Sequence, residues 1–355
     1  MIQAVSTPAR RWRDDAISKR TTIVDIARLA GVSIKTVSRA LNDEPHVSDA
    51  VRRAVKAAAA ELDYHPNIAA QSLIAKRSFL IGLTYERPSP SYVVDLQNGA
   101  LERLETERYR LVVLPFGHVA NRPADLGTFL LRAGLDGVLL APPACDQPVV
   151  LDLLDRQKLP YARITPHSML DRGIVVTMDE VAAARTIAAH VLAQGHRRVG
   201  VILGDSSHVS SHQRTEGYRH AFADAGVMVD DTLMAAGDYT YETGYAAALD
   251  LLRRPARPTA ILAQNDDMAV GAIAAARDLG LEVPRDVSIV GFDDSDVSRT
   301  AWPRLTTIHQ PVREMAWDAA DRLIAAVGDG ADAGRRDHPH RLIVRASVAA
   351  PPATE

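Results

Sequence analysis

The 355-residue chain holds one cysteine, Cys145, and aromatic side chains make up only 5% of it. A single thiol excludes an intrachain disulfide and any cysteine-based metal site, a usage that fits a reducing compartment. No apolar run approaches the about 20 residues that a bilayer-spanning helix needs. The first twenty residues contain "RRWRDD" and "SKR" and no hydrophobic stretch before a cleavage site, so export is not expected and a cytoplasmic location is. A reacting constellation is missing as well. There is no glycine-rich phosphate loop, no serine nucleophile elbow and no paired CxxC, so neither an enzyme nor a cofactor site is expected. His208 and His212, in "HVSSH", have the four-residue spacing of a helical metal pair. No carboxylate lies between them and the serines read as loop, so they are expected at the surface or in a ligand pocket. Cys145, in "PPACDQP", is expected to pack inertly in a loop.

What is present is an apolar fraction of 47% and enough length for two or three domains at roughly 100–200 residues each. Net charge is −3, but it is unevenly spread: up to Arg77 there are 13 Lys and Arg against 8 Asp and Glu (+5), and beyond it 28 against 36 (−8). A basic head on an acidic body points to a polyanion meeting the head alone, although chance clustering would look the same.

The stretch "TIVDIARLAGVSIKTVSRALN", Thr22 to Asn42, reads as two short helices joined by a tight turn. Thr22 and Asp25 have the spacing of a capping box, and Ile23, Ile26, Ala27 and Ala30 recur on one face. Gly31 ends that helix and Ser33 caps the next. The second helix turns Val37, Ala40 and Leu41 inward and leaves Ile34, Lys35, Ser38, Arg39 and Asn42 outside. That face suits the major groove, where Lys or Arg reads guanine and an apolar side chain meets a thymine methyl. Ser33 and Thr36 suit phosphate instead. A third helix, capped by Ser48, turns in Val51, Val55, Ala58, Ala59 and Leu62. Then "YHPNIAAQSLIAKRS" offers a helix of about eight residues behind Pro66, too short to be stable alone and expected to form only against a partner.

From Thr22 to Leu83 the chain resembles the lactose-repressor family of bacterial transcription regulators, in "TIVDIARLAGVSIKTVSRALN" and then "ELDYHPNIAAQSL". The resemblance implies an N-terminal all-α helix-turn-helix head with a hinge helix that pairs with its dimer mate in the minor groove, where Leu73 wedges between base pairs. It adds Thr22, Tyr64, Asn67 and Ala70 to the expected DNA contacts. It also implies a homodimer on pseudo-palindromic operator DNA. The tail "ASVAAPPATE" has no leucine heptads to join dimers into a tetramer. Residues 1–20 are expected to be disordered.

Beyond Arg77, buried apolar runs alternate with amphipathic helices, the pattern of doubly wound parallel sheets. Strands are expected at 80–85, 111–115, 137–140, 161–164, 199–203, 260–263 and 288–292. Helices are expected at 181–194 and 268–279, among others. "GHRRVGVILG", "RTEGYRHAF", "PTAILAQNDDMAVGAIAAA", "VPRDVSIVGFDD" and "PRLTTIHQP" extend the resemblance. They imply an α/β periplasmic-binding-protein-like body of two doubly wound subdomains. The expected division is a tail at 1–20, a head at 21–66, hinge and linker at 67–77 and a body at 78–355. Within the body, subdomain 1 takes about 78–175 and 305–330, and subdomain 2 about 176–304 and 335–350. By the resemblance the chain recrosses near Leu305, so that 312–328 is a helix of the first subdomain, and a final strand near 342–346 returns to the second.

In open α/β sheets ligands bind beyond the carboxyl ends of the strands. Those ends nominate Arg163, Asn265 and Asp293, with Asp179 and Tyr239 starting nearby connections. The resemblance adds Arg214, three residues before Gly217, loosely Ser91 and Tyr92, and Trp302 at the crossover. Carboxylates, an amide and a guanidinium fit adjacent hydroxyls, and an aromatic ring fits a sugar face. A sugar effector is therefore expected first and a nucleobase second. Asp179 can instead be a helix cap and Asp293 a turn residue. Arg163, two residues before Thr165 where the family's founding member has aspartate, hints at an acidic sugar or pairs with Asp179 or Asp293. A transporter's solute-binding protein would share the body but have no use for residues 21–76.

Overall fold

The structure, a computed structural model, describes residues 21–41, 45–64, 77–86, 89–117, 119, 121–330 and 334–352. The expectations for residues 1–20, for the hinge helix, and for Asn42, Asn67, Ala70 and Leu73 fall outside these residues. The chain divides into two units, Met1–Arg77 and Ser78–Glu355.

The first unit is three helices, α1 (Ile23–Ala30), α2 (Ile34–Leu41) and α3 (Asp49–Glu61). The Thr22 backbone N–H and hydroxyl both donate to Asp25 Oδ2, at 2.9 and 2.7 Å. Gly31 ends α1 in the left-handed region at φ 65°, where a side chain would be strained. Ser33 Oγ accepts the Thr36 N–H at 3.1 Å and so caps α2. Ile26, Ala27, Val37, Ala40, Val55, Ala58 and Ala59 form the core, with Tyr64 packed at its margin.

The second unit begins with β1 (Leu80–Tyr85), α4 (Pro90–Leu104), β2 (Arg110–Pro115), α5 (Pro123–Arg132), β3 (Gly137–Leu140), α6 (Pro148–Arg156), β4 (Tyr161–Ile164), β5 (Ile174–Thr177) and α7 (Glu180–Ala193). It continues through β6 (Val199–Ile202), α8 (Val209–Asp224), β7 (Met234–Ala235), α9 (Tyr241–Leu252), β8 (Ala260–Ala263), α10 (Asp266–Asp278), β9 (Ser288–Val290) and α11 (Asp296–Thr300). It closes with β10 (Thr307–His309), α12 (Val312–Asp329), β11 (Arg335–Asp337) and β12 (Arg341–Ile343). One parallel sheet has the order β11-β5-β4-β3-β1-β2 and a second β7-β6-β8-β9. Strands β3, β4, β5, β6 and β8 are buried at every residue, as parallel strands with both faces covered are. An antiparallel pair, β10 with β12, carries the chain between the sheets. Helix α12 packs on α4 and on β3, β4 and β5, so it covers the first sheet.

Four strands escaped the sequence pattern. The pair β4–β5 extends the first sheet through Thr177, past the expected break at 175/176. Arg335–Asp337 lies at the edge of that same sheet beside β5, whereas all of 335–350 was expected in the second subdomain. An edge strand exposed along its whole length carries no hydrophobic alternation to read. The return to the second sheet comes later, where the Ile289 N–H donates to the Ser347 carbonyl at 3.0 Å. The third, β7, has only two residues, and the fourth, β10, only three.

Candidate functional site

Helix α2 presents the outward face of the head. Lys35 and Arg39 are exposed, Ile34 is 49% exposed, and Thr36 and Ser38 are half-buried. Ser33 and Thr36 share a hydroxyl hydrogen bond of 2.8 Å at the amino end of the helix, where unspent backbone N–H groups favour an anion. The Arg52 guanidinium reaches the Ala40 carbonyl at the other end, 3.5 Å away.

In the second unit a cavity of about 50 Å3 gathers the carboxyl ends of strands from both parallel sheets. From the first come Ser89 and Tyr92 after β1, Pro142 after β3, Thr165 after β4 and Glu180 after β5. From the second come His208, Ser210 and Arg214 after β6, Tyr239 after β7, Asn265 after β8 and Asp293 after β9, with Gln310 after β10. Strand order reverses beside β1 in one sheet and beside β6 in the other, the switch points where such sheets open a crevice.

Arg214 is the hub. Its Nε donates to Glu180 Oε2 at 2.9 Å, Nη1 to the Gln264 carbonyl at 2.5 Å and Nη2 to Gln310 Oε1 at 3.2 Å. Burial opposes its charge, but Glu180 and Asp293 outweigh that and push its pKa above the ordinary arginine value. The Phe292 ring covers its face, the centroid 3.7 Å from Cζ, a close cation–π contact. The meeting of Arg214 with Glu180 depends on Gly217, three residues along α8. A Cβ there would lie 2.3 Å from the Val181 carbonyl oxygen on α7. The glycine of "RTEGYRHAF" therefore lets the two helices touch.

Asp293 is held at φ 123°, and burial first, then the neighbouring carboxylates of Asp266, Asp267 and Glu180, raise its carboxyl well above the usual range against the pull of Arg214. Tyr239 at φ 71° and Thr165 at φ 48° also have positive φ, so three cavity residues occupy backbone regions that non-glycine residues seldom visit. Asn265 secures one of them: its Nδ2 donates to the Tyr239 carbonyl at 2.9 Å while its Oδ1 accepts the Met268 N–H at 3.0 Å and caps α10. The Tyr92 hydroxyl is buried on the cavity wall beside the Thr165 side chain.

Of the expected ligand residues, Tyr92, Arg214, Tyr239, Asn265 and Asp293 line the cavity. Ser91 does not. Ser89 caps α4, and on a helix it shares a side with Tyr92 three residues on, while Ser91 is turned away. Arg163 does not either. Fully buried, it donates to the carbonyls of Cys145, Met169 and Ser168 at 2.6 Å each and pairs with Asp146 at 3.1 Å, so it pins loops behind the sheet and meets neither Asp179 nor Asp293. Asp179 is exposed and caps α7, accepting the Ala182 N–H at 2.8 Å; its neighbour Glu180 takes the cavity position. Trp302 is 88% exposed and stands outside the cavity. His208 lines it, whereas His212 bonds the Ser206 carbonyl at 3.0 Å. Cys145 is buried, and burial pushes its thiol pKa well up. Ser89, Pro142, Glu180, Ser210 and Gln310 carried no signal that set them apart from caps and loop residues; Thr165 stood only as the place where the family's founding member has aspartate, and the serine-proline pair at 89–90 marked a helix start.

A helix-turn-helix head followed by two switch-point sheets around a polar cavity defines a ligand-responsive DNA-binding regulator. Residues 22–67 match the family described as bacterial regulatory proteins, lacI family, and residues 188–348 match the periplasmic binding protein-like domain. The HTH-type transcriptional regulator DegA of Bacillus subtilis (strain 168) is 34% identical over 83% of this chain and 88% of its own. The chain belongs to the lacI family of bacterial regulatory proteins. Its fold matches the CelR–cellobiose complex at 31% identity, with TM-score 0.68 over 92% of this chain and all of that one. It also matches the lac repressor dimer bound to operator and the anti-inducer ONPF, at 29% identity and TM-score 0.81 over 94% of this chain and all of that one.

Proposed function

We propose that the protein is a cytoplasmic repressor that binds pseudo-palindromic operator DNA as a homodimer and releases it when a sugar occupies the cavity. The observation that carries the sugar is the company around the cavity: the Asp293 carboxyl and the Tyr92 hydroxyl line it together with the aromatic rings of Tyr92 and Tyr239. Such a set offers hydrogen-bond partners to adjacent hydroxyls and an apolar face to a ring. The related CelR was solved with cellobiose, and the related lac repressor as a dimer on operator, which supports both halves of the reading.

In the head, Ile34, Lys35 and Arg39 read bases in the major groove, with Ser38 and Asn42 on the same face. Thr22, Ser33, Thr36 and Tyr64 hold phosphate, and Asn67, Ala70 and Leu73 belong to a hinge that enters the minor groove. The working division is a head at 21–66, a linker at 67–77 and a body of two subdomains from 78. Effector acts only through unequal affinity for two states of the body, and a coupling of about 1–3 kcal/mol is typical.

The test has two steps. DNA selected from a random pool by the intact protein should be a pseudo-palindrome, retarded in a gel. A thermal-shift screen against sugars and nucleobases should then find a sugar that also dissolves that complex. DNA that is bound without sequence preference, or a stabilising ligand found only among the nucleobases, would refute the corresponding half.

A further inference from the structure

We infer that the cavity accepts only an uncharged ligand and, within the sugar reading on which this rests, rejects uronates and phosphorylated sugars. Arg214 is the sole lysine or arginine among the described residues that line it, and its guanidinium is already committed. Nε and Nη2 face the two oxygens of Glu180 at 2.9 and 3.4 Å, Nη1 donates to the Gln264 carbonyl at 2.5 Å, and Nη2 also reaches Gln310 at 3.2 Å. Glu180 cancels the one positive charge, and Asp293, 3.9 Å from Nη1, adds a carboxyl and no cation.

The remaining groups do not change the count. His208 is buried, which pushes its imidazole below the ordinary value and leaves it uncharged at neutral pH. The Asn265 amide is spent on the Tyr239 carbonyl and the cap of α10. An anionic ligand would shed its water, meet the Glu180 carboxylate and the Asp293 carboxyl and find no unspent cation. Hydroxyl groups face the opposite situation, because Asp293 accepts and the Tyr92 and Thr165 hydroxyls on the wall can donate or accept.

Isothermal titration of the intact protein with three panels tests this: neutral mono- and disaccharides, the uronates and phosphates of the same sugars, and nucleobases. A neutral sugar should bind, and its uronate and phosphate should bind at least about tenfold more weakly. An anionic sugar that equals its neutral parent overturns the charge inference and leaves the sugar reading standing. Binding by an uncharged nucleobase alone does the reverse. Silence from every uncharged compound overturns the inference as well. Glu180→Gln, shown to be folded by near-ultraviolet circular dichroism, should gain about tenfold or more in uronate affinity because Arg214 then has a charge to offer; a folded variant without that gain counts against it.

Discussion

Two buried arginines of the second unit do different work. Arg163 is 0% exposed and holds loop carbonyls and Asp146 together, far from any ligand role. Arg163→Met keeps the apolar stem but leaves Asp146 and those carbonyls with lost partners, so the body should lose about 3–5 kcal/mol. Denaturant melts would register this, and the folded fraction should bind effector with unchanged affinity. A shift in effector preference instead would restore Arg163 as a ligand residue. At the same scale, the exposed Arg39 of α2 should behave as a base reader. Arg39→Ala should cost roughly 1–3 kcal/mol on the selected operator, with relaxed preference at one position of each half-site. Equal loss on operator and on random DNA in a gel-shift titration would mark a phosphate contact.

At the scale of elements, the link between the sheets is the antiparallel pair β10–β12, and Asp294 ties it to the loop after β9. Its carboxylate accepts from His309 Nδ1 at 3.2 Å and from Arg345 on the segment after β12. Burial raises the Asp294 carboxyl, but the hydrogen bonds from His309 and Arg345 outweigh it and hold the group at about 2 against an ordinary 3.8. A carboxyl more acidic when folded than when unfolded stabilises the fold above its unfolded pKa, and the contribution fades as pH falls from about 4 to 2. With partial solvent screening, Asp294→Asn should cost about 1–2 kcal/mol at pH 7. Thermal melts at pH 7 and pH 3 should show the gap to the parent protein narrowing at the lower pH. A gap independent of pH would assign the effect to shape rather than charge. Asp294 follows Asp293 in the chain, so the cavity carboxylate and this tie share one peptide unit.

For the whole molecule, the question is which change silences the effector without disturbing the fold. Arg214 is the wrong residue to remove, because its loss would strand Glu180 at 4% side-chain exposure and cost about 3–5 kcal/mol. Asp293 has only a 3.9 Å ion contact to lose. Asp293→Asn should fold, bind operator as the parent does, and need up to about tenfold more effector to release it, from a lost hydrogen bond worth about 0.5–1.5 kcal/mol. Effector titration of the operator complex measures the midpoint. A parental midpoint would make Asp293 scaffold, and lost operator binding without effector would place it in the DNA-binding pathway.

The local chemistry of the chain was enough for much of this architecture. Helix starts at Thr22, Ser33 and Ser48, the stop at Gly31, and apolar strands such as Ala260–Ala263 follow from capping, left-handed glycine and burial of short apolar runs, all of which act within a few residues. Strand ends also nominated Asn265 and Asp293. Which of two adjacent polar residues faces the cavity was decided only by tertiary packing. Ser89 rather than Ser91, and Glu180 rather than Asp179, depend on where each helix begins and how it is rotated against the sheets. Arg163 was nominated by its strand end and Arg214 by the resemblance, and they were separated by what stands opposite them: loop carbonyls and Asp146 for one, and for the other Glu180, which Gly217 brings close by removing a Cβ between two helices. Partners drawn from distant parts of the chain set the charge of the cavity, and no local pattern encodes which of them will meet.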